Sequence, residues 1–494
     1  MTALHLMALL LAAVGPLLAL ARLLRLPASL LLVGVGAATT FLPWLPPAPV
    51  DPQLLITLFL PPVIFAAAIR VTVHLLRFSL GTGVAIGIGL AAIGIPAIAL
   101  AARALLPGLG WAPALLLGIV GALFDTRIFH EAEGRPQVPR AIAEALKVRE
   151  MVARILALGV LALVLQAVEE GAPTPLEAAG LFAWGLVAGV AAGVVLGRCS
   201  VWLRGRVGPA PVEIAVSVAL PFLCALTAQA LGLSLSATII AAALTVSSSE
   251  VDRETGRTST SSEARISATA FWEEVSLLLS AVLFLLADRA LPGALQALGS
   301  WPLWQTAGTA LALVLLILGL QFAFSYLAAC LPAPAEALRE REEEAGRAIT
   351  RLTAAGVMAW ACTPSILGIV IALSAPQGME DRGLTLVVAA FLIVGAVVVQ
   401  GLTLRSAVRA ASLGNREEEK REERLAGHVA ARAAEGELDG GGGLEAVRRA
   451  LLRLREENQI GDEMLQKMLR ETDLSERAAE GPAAALPGAG PPNP

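Results

Sequence analysis

Long apolar stretches recur along this chain, and short polar segments separate them. Each stretch is close to the roughly 20 residues that a helix needs to cross the hydrocarbon core of a bilayer. The pattern therefore predicts an all-α polytopic membrane protein with about thirteen transmembrane helices. The predicted spans are residues 4–21, 27–45, 53–69, 79–102, 111–124, 150–167, 176–196, 212–231, 233–246, 270–287, 304–331, 352–375 and 384–404.

The basic residues of the loops follow a regular alternation. The loop after span 5 is rich in Lys and Arg, and the other loops after odd-numbered spans are also basic. Loops after even-numbered spans contain only Arg103, Arg289 and Arg382. Because positively charged loops stay on the cytoplasmic side, the alternation places the N-terminus outside and the C-terminal tail in the cytoplasm.

Composition supports the membrane class and narrows the chemistry. The chain is 56% hydrophobic and only 16% charged, far from an ordinary soluble domain. A net charge of -4 without a basic patch gives no reason to expect nucleic-acid binding. The four cysteines show no CxxC spacing, so neither a metal site nor a cofactor is expected.

The character of the chain changes after the last span. A dense run of charges begins at Arg416, four glycines end at Gly443, and apolar residues then recur at helical spacing. This last segment predicts a cytosolic helical module that packs on itself, regulates the membrane part or contacts a second copy. The predicted organisation is a membrane domain at 1–410, a charged linker with a glycine hinge at 411–443, the helical module at 444–476, and a disordered tail at 477–494.

Ionisable residues inside the spans indicate where function lies, because charges are costly in hydrocarbon. Asp125 ends span 5, and Gly121 precedes it by one helical turn. Glu150 and Arg154 are four residues apart with the acid first, the favourable order for a helical ion pair. Glu150 is either a site residue or an exposed charge at the end of the loop, and Arg154 either faces the site or reaches back to the inner interface.

Span 12 contains Pro364 inside an apolar run. A proline within a helix removes one amide donor and frees a carbonyl, so a break is expected near Trp360. Interrupted helices inside a membrane survive only where they are buried or line a cavity. Spans 5 and 12 occupy matching places if spans 1–6 and 8–13 form inverted six-helix repeats. Such paired interruptions are typical of the binding site of a secondary transporter.

Several motifs, in order and spacing, resemble the bacterial sodium/proton exchanger-type monovalent cation:proton antiporters. The motifs are LPPVIFAAAIR with Pro61, Pro62 and Phe65, GIVGALFD up to Asp125, FWEEVSLLLSAVLFLL from Phe271, VIALSAP from Val370, and FLIVGAVVVQGLTL from Phe391. The similarity covers nearly all of the membrane part and extends into the tail.

The resemblance implies a homodimer in the inner membrane of a cell. Spans 1–3 and 8–10 would form the dimerisation half, and spans 4–6 and 11–13 would form a mobile core with discontinuous spans 5 and 12. Carboxylates in spans 5 and 6 would bind a monovalent cation or a proton in turn. No cofactor is implied, and the exchange is transport rather than enzymatic catalysis.

This chain departs from the family pattern at the expected ion site. Asp125 matches the span-5 aspartate, and Thr126 follows it. In span 6, Arg154 stands where the family has its principal acid, and Arg149 stands where it has a glutamate, next to Glu150. Pro364 replaces the arginine of span 12. The predicted ion site is therefore Asp125, Thr126, Glu150 and Arg154, with helix breaks at Gly121 and Pro364.

Two functions follow from these residues. The first is antiport of Na⁺ or K⁺ against protons, with Asp125 as the carrier acid and Glu150 as a second acid. The alternative is a non-exchanging homologue that acts as a sensor, a scaffold or a transporter of another solute, in which an Asp125–Arg154 salt bridge occupies the site. Arg154 needs a counter-charge in either case, and Asp125 and Glu150 are the candidates. An anion exchanger that uses Arg154 is a narrower third option.

Overall fold

The architecture was obtained from a computed structural model of the chain. The structure describes residues 3–24, 31–32, 35, 55–69, 71, 83–125, 140–207, 210–249, 251, 255, 262–296, 298, 301–330, 351–360, 362–376, 378–411, 416–436, 443–457 and 459–480. Most of predicted span 27–45, Thr126, and most of the predicted disordered tail lie outside these residues.

The described part of the chain is almost entirely helical. The helices are α1 (Ala3–Leu24), α2 (Leu60–Ala68), α3 (Ala85–Gly89), α4 (Ile95–Leu105), α5 (Trp111–Ala122), α6 (Arg140–Glu169), α7 (Pro175–Arg204), α8 (Ala210–Leu231), α9 (Leu235–Ser248), α10 (Ser262–Gln296), α11 (Leu303–Ala329), α12 (Arg351–Trp360), α13 (Ile366–Leu373), α14 (Arg382–Ala411), α15 (Arg416–Ala434), α16 (Leu444–Glu456) and α17 (Asp462–Glu480). A π-helical turn, Leu55–Phe59, leads into α2, and another, Leu90–Gly94, joins α3 to α4.

Seven helical stretches in the described residues are long and apolar enough to cross a membrane. Shorter apolar helices at 12–21, 56–68, 111–122 and 235–248 accompany them. Each overlaps a predicted span, although several extend beyond the predicted ends, because the length of an apolar run is a property of the local sequence. The polytopic all-α class is therefore confirmed, while the count of thirteen stays a prediction.

Predicted spans 5 and 12 both leave the helical conformation near the expected positions. The helix of span 5 ends at Ala122, and the chain continues into strand β1 (Phe124–Asp125). The helix of span 12 stops at Trp360, and the chain passes through strand β2 (Thr363–Pro364) and resumes as α13. The two strands pair antiparallel, with Phe124 opposite Pro364 and Asp125 opposite Thr363.

The membrane helices pack mainly in two sets. In the first set, α8, α9 and α10 pack on α2 and α7 packs on α9; in the second, α3 to α6 pack together with α11 to α14. The sets meet where α10 contacts α13 and α14, and where α6 contacts α7 and α9. The division into a dimerisation half and a mobile core stays a prediction.

The C-terminal part differs from the predicted organisation. Residues 416–434, expected to be a charged linker, form helix α15, and α17 continues to Glu480. The reason is an apolar stripe beneath the charges: Leu425, Ala426 and Val429 pack against α16 and α17. Helices α15 to α17 thus share one hydrophobic core. We call residues 416–480 the cytosolic module, after the side of the membrane that the basic loops predict for it.

Candidate functional site: the crossing of two interrupted helices

The candidate site lies where the two interrupted helices cross. The backbone N–H of Ser365 donates to the carbonyl of Leu123 at 2.9 Å, extending the contact between β1 and β2. The hydroxyl of Ser365 accepts from the N–H of Leu367 and caps the start of α13. The crossing therefore brings together the C-terminal ends of α5 and α12 and the N-terminal end of α13.

Asp125 lies in the strand at the crossing itself. Asp125 is buried, with 8% of its surface exposed. A carboxylate in such a place is stable when it carries a proton or faces a cation. Thr126, the predicted companion of Asp125, lies outside the part of the chain that the structure describes.

Glu150 and Arg154 form the ion pair that their spacing predicts. Arg154 Nη2 lies 2.5 Å from Glu150 Oε1, and both side chains are largely buried. Glu150 is thus one counter-charge of Arg154, because positions four apart share one helix face. The Asp125–Arg154 salt bridge stays a prediction. Because α6 begins at Arg140, Glu150 lies well inside a helix and not at a loop end.

Arg149 lies at the crossing, although the sequence analysis did not include it in the predicted site. It is fully buried, its Nη2 contacts Cys362 Sγ, and its Cζ lies 5.6 Å from the ring centroid of Phe124. Its Nε and Nη1 have no hydrogen-bond partner within the described structure. The guanidinium thus sits at the C-terminal ends of α5 and α12, where the helix dipoles favour a positive charge.

Two buried amides complete the crossing, and the sequence analysis did not identify them. Gln400 on α14 donates from Nε2 to the carbonyl of Cys362 at 2.9 Å. Gln321 on α11, with its amide nitrogen facing α12, donates to the carbonyls of Ala359 at 2.7 Å and Cys362 at 3.2 Å. The sequence offered one signal for each of these residues, a neutral amide inside a long apolar run. These donors satisfy carbonyls that the end of α12 leaves without helical partners.

The two predicted break residues have different roles. Gly121 is the penultimate residue of α5, and a Cβ there would lie 2.8 Å from Ile317 Cδ1 and 2.9 Å from Ile98 Cδ1. The glycine therefore lets two isoleucine side chains pack closely on α5. Pro364 lies in β2 opposite Phe124, within the interruption that its missing N–H favours.

The site as a whole combines the buried Asp125 and the partly buried Glu150 with two buried guanidiniums inside a bundle of apolar helices. Glu150 is engaged by Arg154, Arg149 faces the helix ends, and Asp125 occupies the interruption. Discontinuous helices that hold an acid at the centre of a polytopic bundle define a secondary-transporter architecture.

Comparison with known proteins identifies the family. Residues 9–410 match the family model described as sodium/hydrogen exchanger, transmembrane, and the chain belongs to this family. Uncharacterized Na⁺/H⁺ exchangers of Mycobacterium tuberculosis and Mycobacterium bovis are each 26% identical over 393 residues, which cover 78% of this chain and 70% of the relative. The structure of the sodium proton antiporter MjNhaP1 from Methanocaldococcus jannaschii has the same fold, with a TM-score of 0.63 at 12% identity, over 84% of this chain and 99% of that one.

Proposed function

We propose that this protein is a secondary active transporter that exchanges Na⁺ or K⁺ for protons by alternating access in the cell (inner) membrane. Membership of the sodium/hydrogen exchanger family supports cation:proton antiport. The observation that carries the proposal for this chain is a buried carboxylate, Asp125, inside the interruption of a transmembrane helix.

Competition for Asp125 is sufficient to couple two gradients. The carboxylate holds either a proton or a monovalent cation, and each neutralises it. An empty, ionised carboxylate is unfavourable in the apolar interior, so the mobile part crosses only when the site is filled. The exchange then needs no covalent chemistry.

The basic residues shape this site without binding the transported cation. Arg154 neutralises Glu150, so the second acid expected in span 6 is engaged in an ion pair. Arginine does not lose its proton at usable pH, so Arg154 stays charged through a transport cycle. Arg149 stabilises the helix ends of the crossing. Transport therefore depends on Asp125, and Glu150 acts mainly through its pair with Arg154.

The second candidate is a non-exchanging homologue. In it an Asp125–Arg154 salt bridge occupies the ion site, and the fold serves as a sensor or scaffold or moves another solute. This candidate predicts no cation-driven proton flux in the wild type and recovery of flux when Arg154 becomes acidic.

Flux measurements separate the two candidates. Purified protein in liposomes with a pH gradient is pulsed with Na⁺, K⁺ or Li⁺, and proton movement is followed with a pH-sensitive dye. We expect flux in the wild type, loss to the liposome background in Asp125→Asn, and wild-type flux in Glu380→Gln, a neutralised exposed acid.

Other results would change the assignment. Unchanged flux in Asp125→Asn would remove Asp125 from the site. A silent wild type with an active Arg154→Asp variant would favour the non-exchanging candidate, since an acid restored at position 154 would then recreate the missing ion ligand.

The remaining features of the proposal concern organisation. The protein forms a homodimer through spans 1–3 and 8–10, and spans 4–6 with 11–13 move as the core. Its N-terminus faces the outside and its cytosolic module faces the cytoplasm, in line with the alternation of basic loops.

A further inference from the structure

The cytosolic module docks on the membrane domain through buried ion pairs. Arg265 at the start of α10 is buried and forms a bidentate pair with Asp473, with Nε–Oδ2 at 3.0 Å and Nη2–Oδ1 at 2.6 Å. The same Nη2 lies 3.0 Å from Glu476 Oε2. Bidentate, charge-assisted contacts of this kind are strong and geometrically specific. Helix α17 thus contacts α10 in a defined position.

A second contact joins the module to α6. Lys147 Nζ lies 2.6 Å from Glu463 Oε1, and Arg455 Nη2 lies 3.6 Å from Oε1 of the buried Glu144. Arg455 also pairs with Asp462 inside the module, so one buried guanidinium links the module to the membrane helix.

The two contacts lie on helices of different sets. Helix α6 packs within the second set and carries Glu150 and Arg154, whereas α10 packs within the first set. Lys147 is less than one helical turn from Glu150. A module that holds both α6 and α10 therefore resists any movement of one set past the other.

The charges across this interface are matched; those of Arg265, Asp473, Arg455 and Glu144 are buried, whereas the Lys147–Glu463 pair is exposed. Arg448 of α16 also contacts Asp473 at 3.0 Å and Glu476 at 2.6 Å, so two guanidiniums share two carboxylates. Breaking a buried pair leaves an uncompensated charge, which is strongly unfavourable. By contrast, Lys467 and Glu423 form an exposed pair within the module, of the kind that contributes little.

We propose that the cytosolic module is an inhibitory strap. In the docked state it ties α6 to α10 through these ion pairs and holds the transporter at rest; its release frees the site-bearing helix to move. This inference rests on the proposed antiport, because inhibition is measured as cation:proton flux.

The first test weakens the α10 contact in the full-length chain. Arg265→Gln removes the guanidinium and leaves the pairs between Arg448, Asp473 and Glu476 in place, so the module keeps its own core. We expect hydrogen exchange of the α17 amides in lipid nanodiscs to rise at least about tenfold, the factor equivalent to about 1.4 kcal/mol. If the docked state holds about nine in ten molecules, release raises flux by up to about tenfold.

Two variants serve as matched controls. Arg206→Gln removes an exposed guanidinium at the end of α7, whose contacts are to Trp202. Lys467→Gln removes an exposed charge within the module. Neither should change the exchange of α17 or the flux.

The second test locks the strap. Lys147→Cys with Glu463→Cys places two thiols across the α6 contact, in a background where the exposed Cys199 and Cys330 are replaced by serine. A short, cleavable bis-maleimide should stop the flux, and cleavage of the linker should restore it. The uncross-linked double variant controls for the substitutions themselves.

Each outcome decides the proposal. Equal flux in wild type, Arg265→Gln and the cross-linked protein overturns the strap while leaving antiport intact. Lower flux after release shows that the module activates transport, which also overturns the strap. No flux in any variant refutes the proposed antiport, and the strap with it, even if hydrogen exchange shows release.

Discussion

Polar side chains buried in the membrane part have specific tasks at the crossing. Gln321 and Gln400 reach from two helices to the carbonyl oxygens at the end of α12. A carbonyl left without a donor in an apolar interior costs about 1–3 kcal/mol. These amides therefore stabilise the interruption that places Asp125, although they are uncharged and inconspicuous in the sequence.

Removing these donors should destabilise the protein. In the variant Gln321→Leu/Gln400→Leu, the carbonyls of Ala359 and Cys362 lose their side-chain donors, so we expect a stability loss of about 2 kcal/mol or more. Thermal unfolding in detergent measures it. Gln296→Leu, at an exposed position, is the control and should have little effect. An unchanged melting temperature in the double variant would contradict this role of the amides.

Helices α7 and α9 approach each other through small residues. Gly185, Gly189, Gly193 and Gly197 recur every four residues along α7 and are all buried. The backbone N–H of Ser234 donates to the carbonyl of Gly185 at 3.0 Å, which is possible only because the helices are so close. Small residues at such spacing are typical of close helix packing in membranes.

A methyl group on the glycine face of α7 should push α7 and α9 apart. A Cβ at Gly193 would lie 2.2 Å from the backbone oxygen of Thr238, an atom that cannot swing away. We expect Gly193→Ala to lower stability by about 1–3 kcal/mol, as overpacking does. Gly180→Ala on the same helix meets nothing within 4 Å and should be neutral or stabilising. Equal melting temperatures of the two variants would show that α7 and α9 are not held this closely.

The orientation of the whole molecule can be tested with its own cysteines. The basic loops predict that the ends of spans 7 and 11, which carry the exposed Cys199 and Cys330, face the cytoplasm. A membrane-impermeant maleimide added to intact cells should therefore leave both unlabelled until the cells are permeabilised. Glu170→Cys, in the exposed loop after α6, should be labelled from outside. The reverse labelling pattern would show the opposite orientation.

The proposed inhibitory strap depends on contacts between the cytosolic module and the membrane domain. Its contacts join residues far apart in the chain, with Arg265 and Asp473 separated by 208 positions. No local pattern around Arg265 distinguishes it from other basic residues of a cytoplasmic loop. The docking could be seen only after the module and the membrane domain had been placed together.

The sequence by itself determined the class of protein, most of the spans, and both interruptions. Apolar length and the missing N–H of Pro364 act within one segment, so they can be read locally. The spacing of Glu150 and Arg154 predicted their ion pair for the same reason. Asp125 was predicted as the site acid, and its role stays a proposal.

Only the tertiary structure decided which distant groups meet. It brought Arg149 to Cys362, 213 positions away, and Gln400 to the carbonyl of Cys362. It showed that residues 416–434 form a helix, because their apolar stripe has α16 and α17 to pack against. Packing between segments depends on the shape and charge of every partner at once, and no single stretch of sequence contains that information.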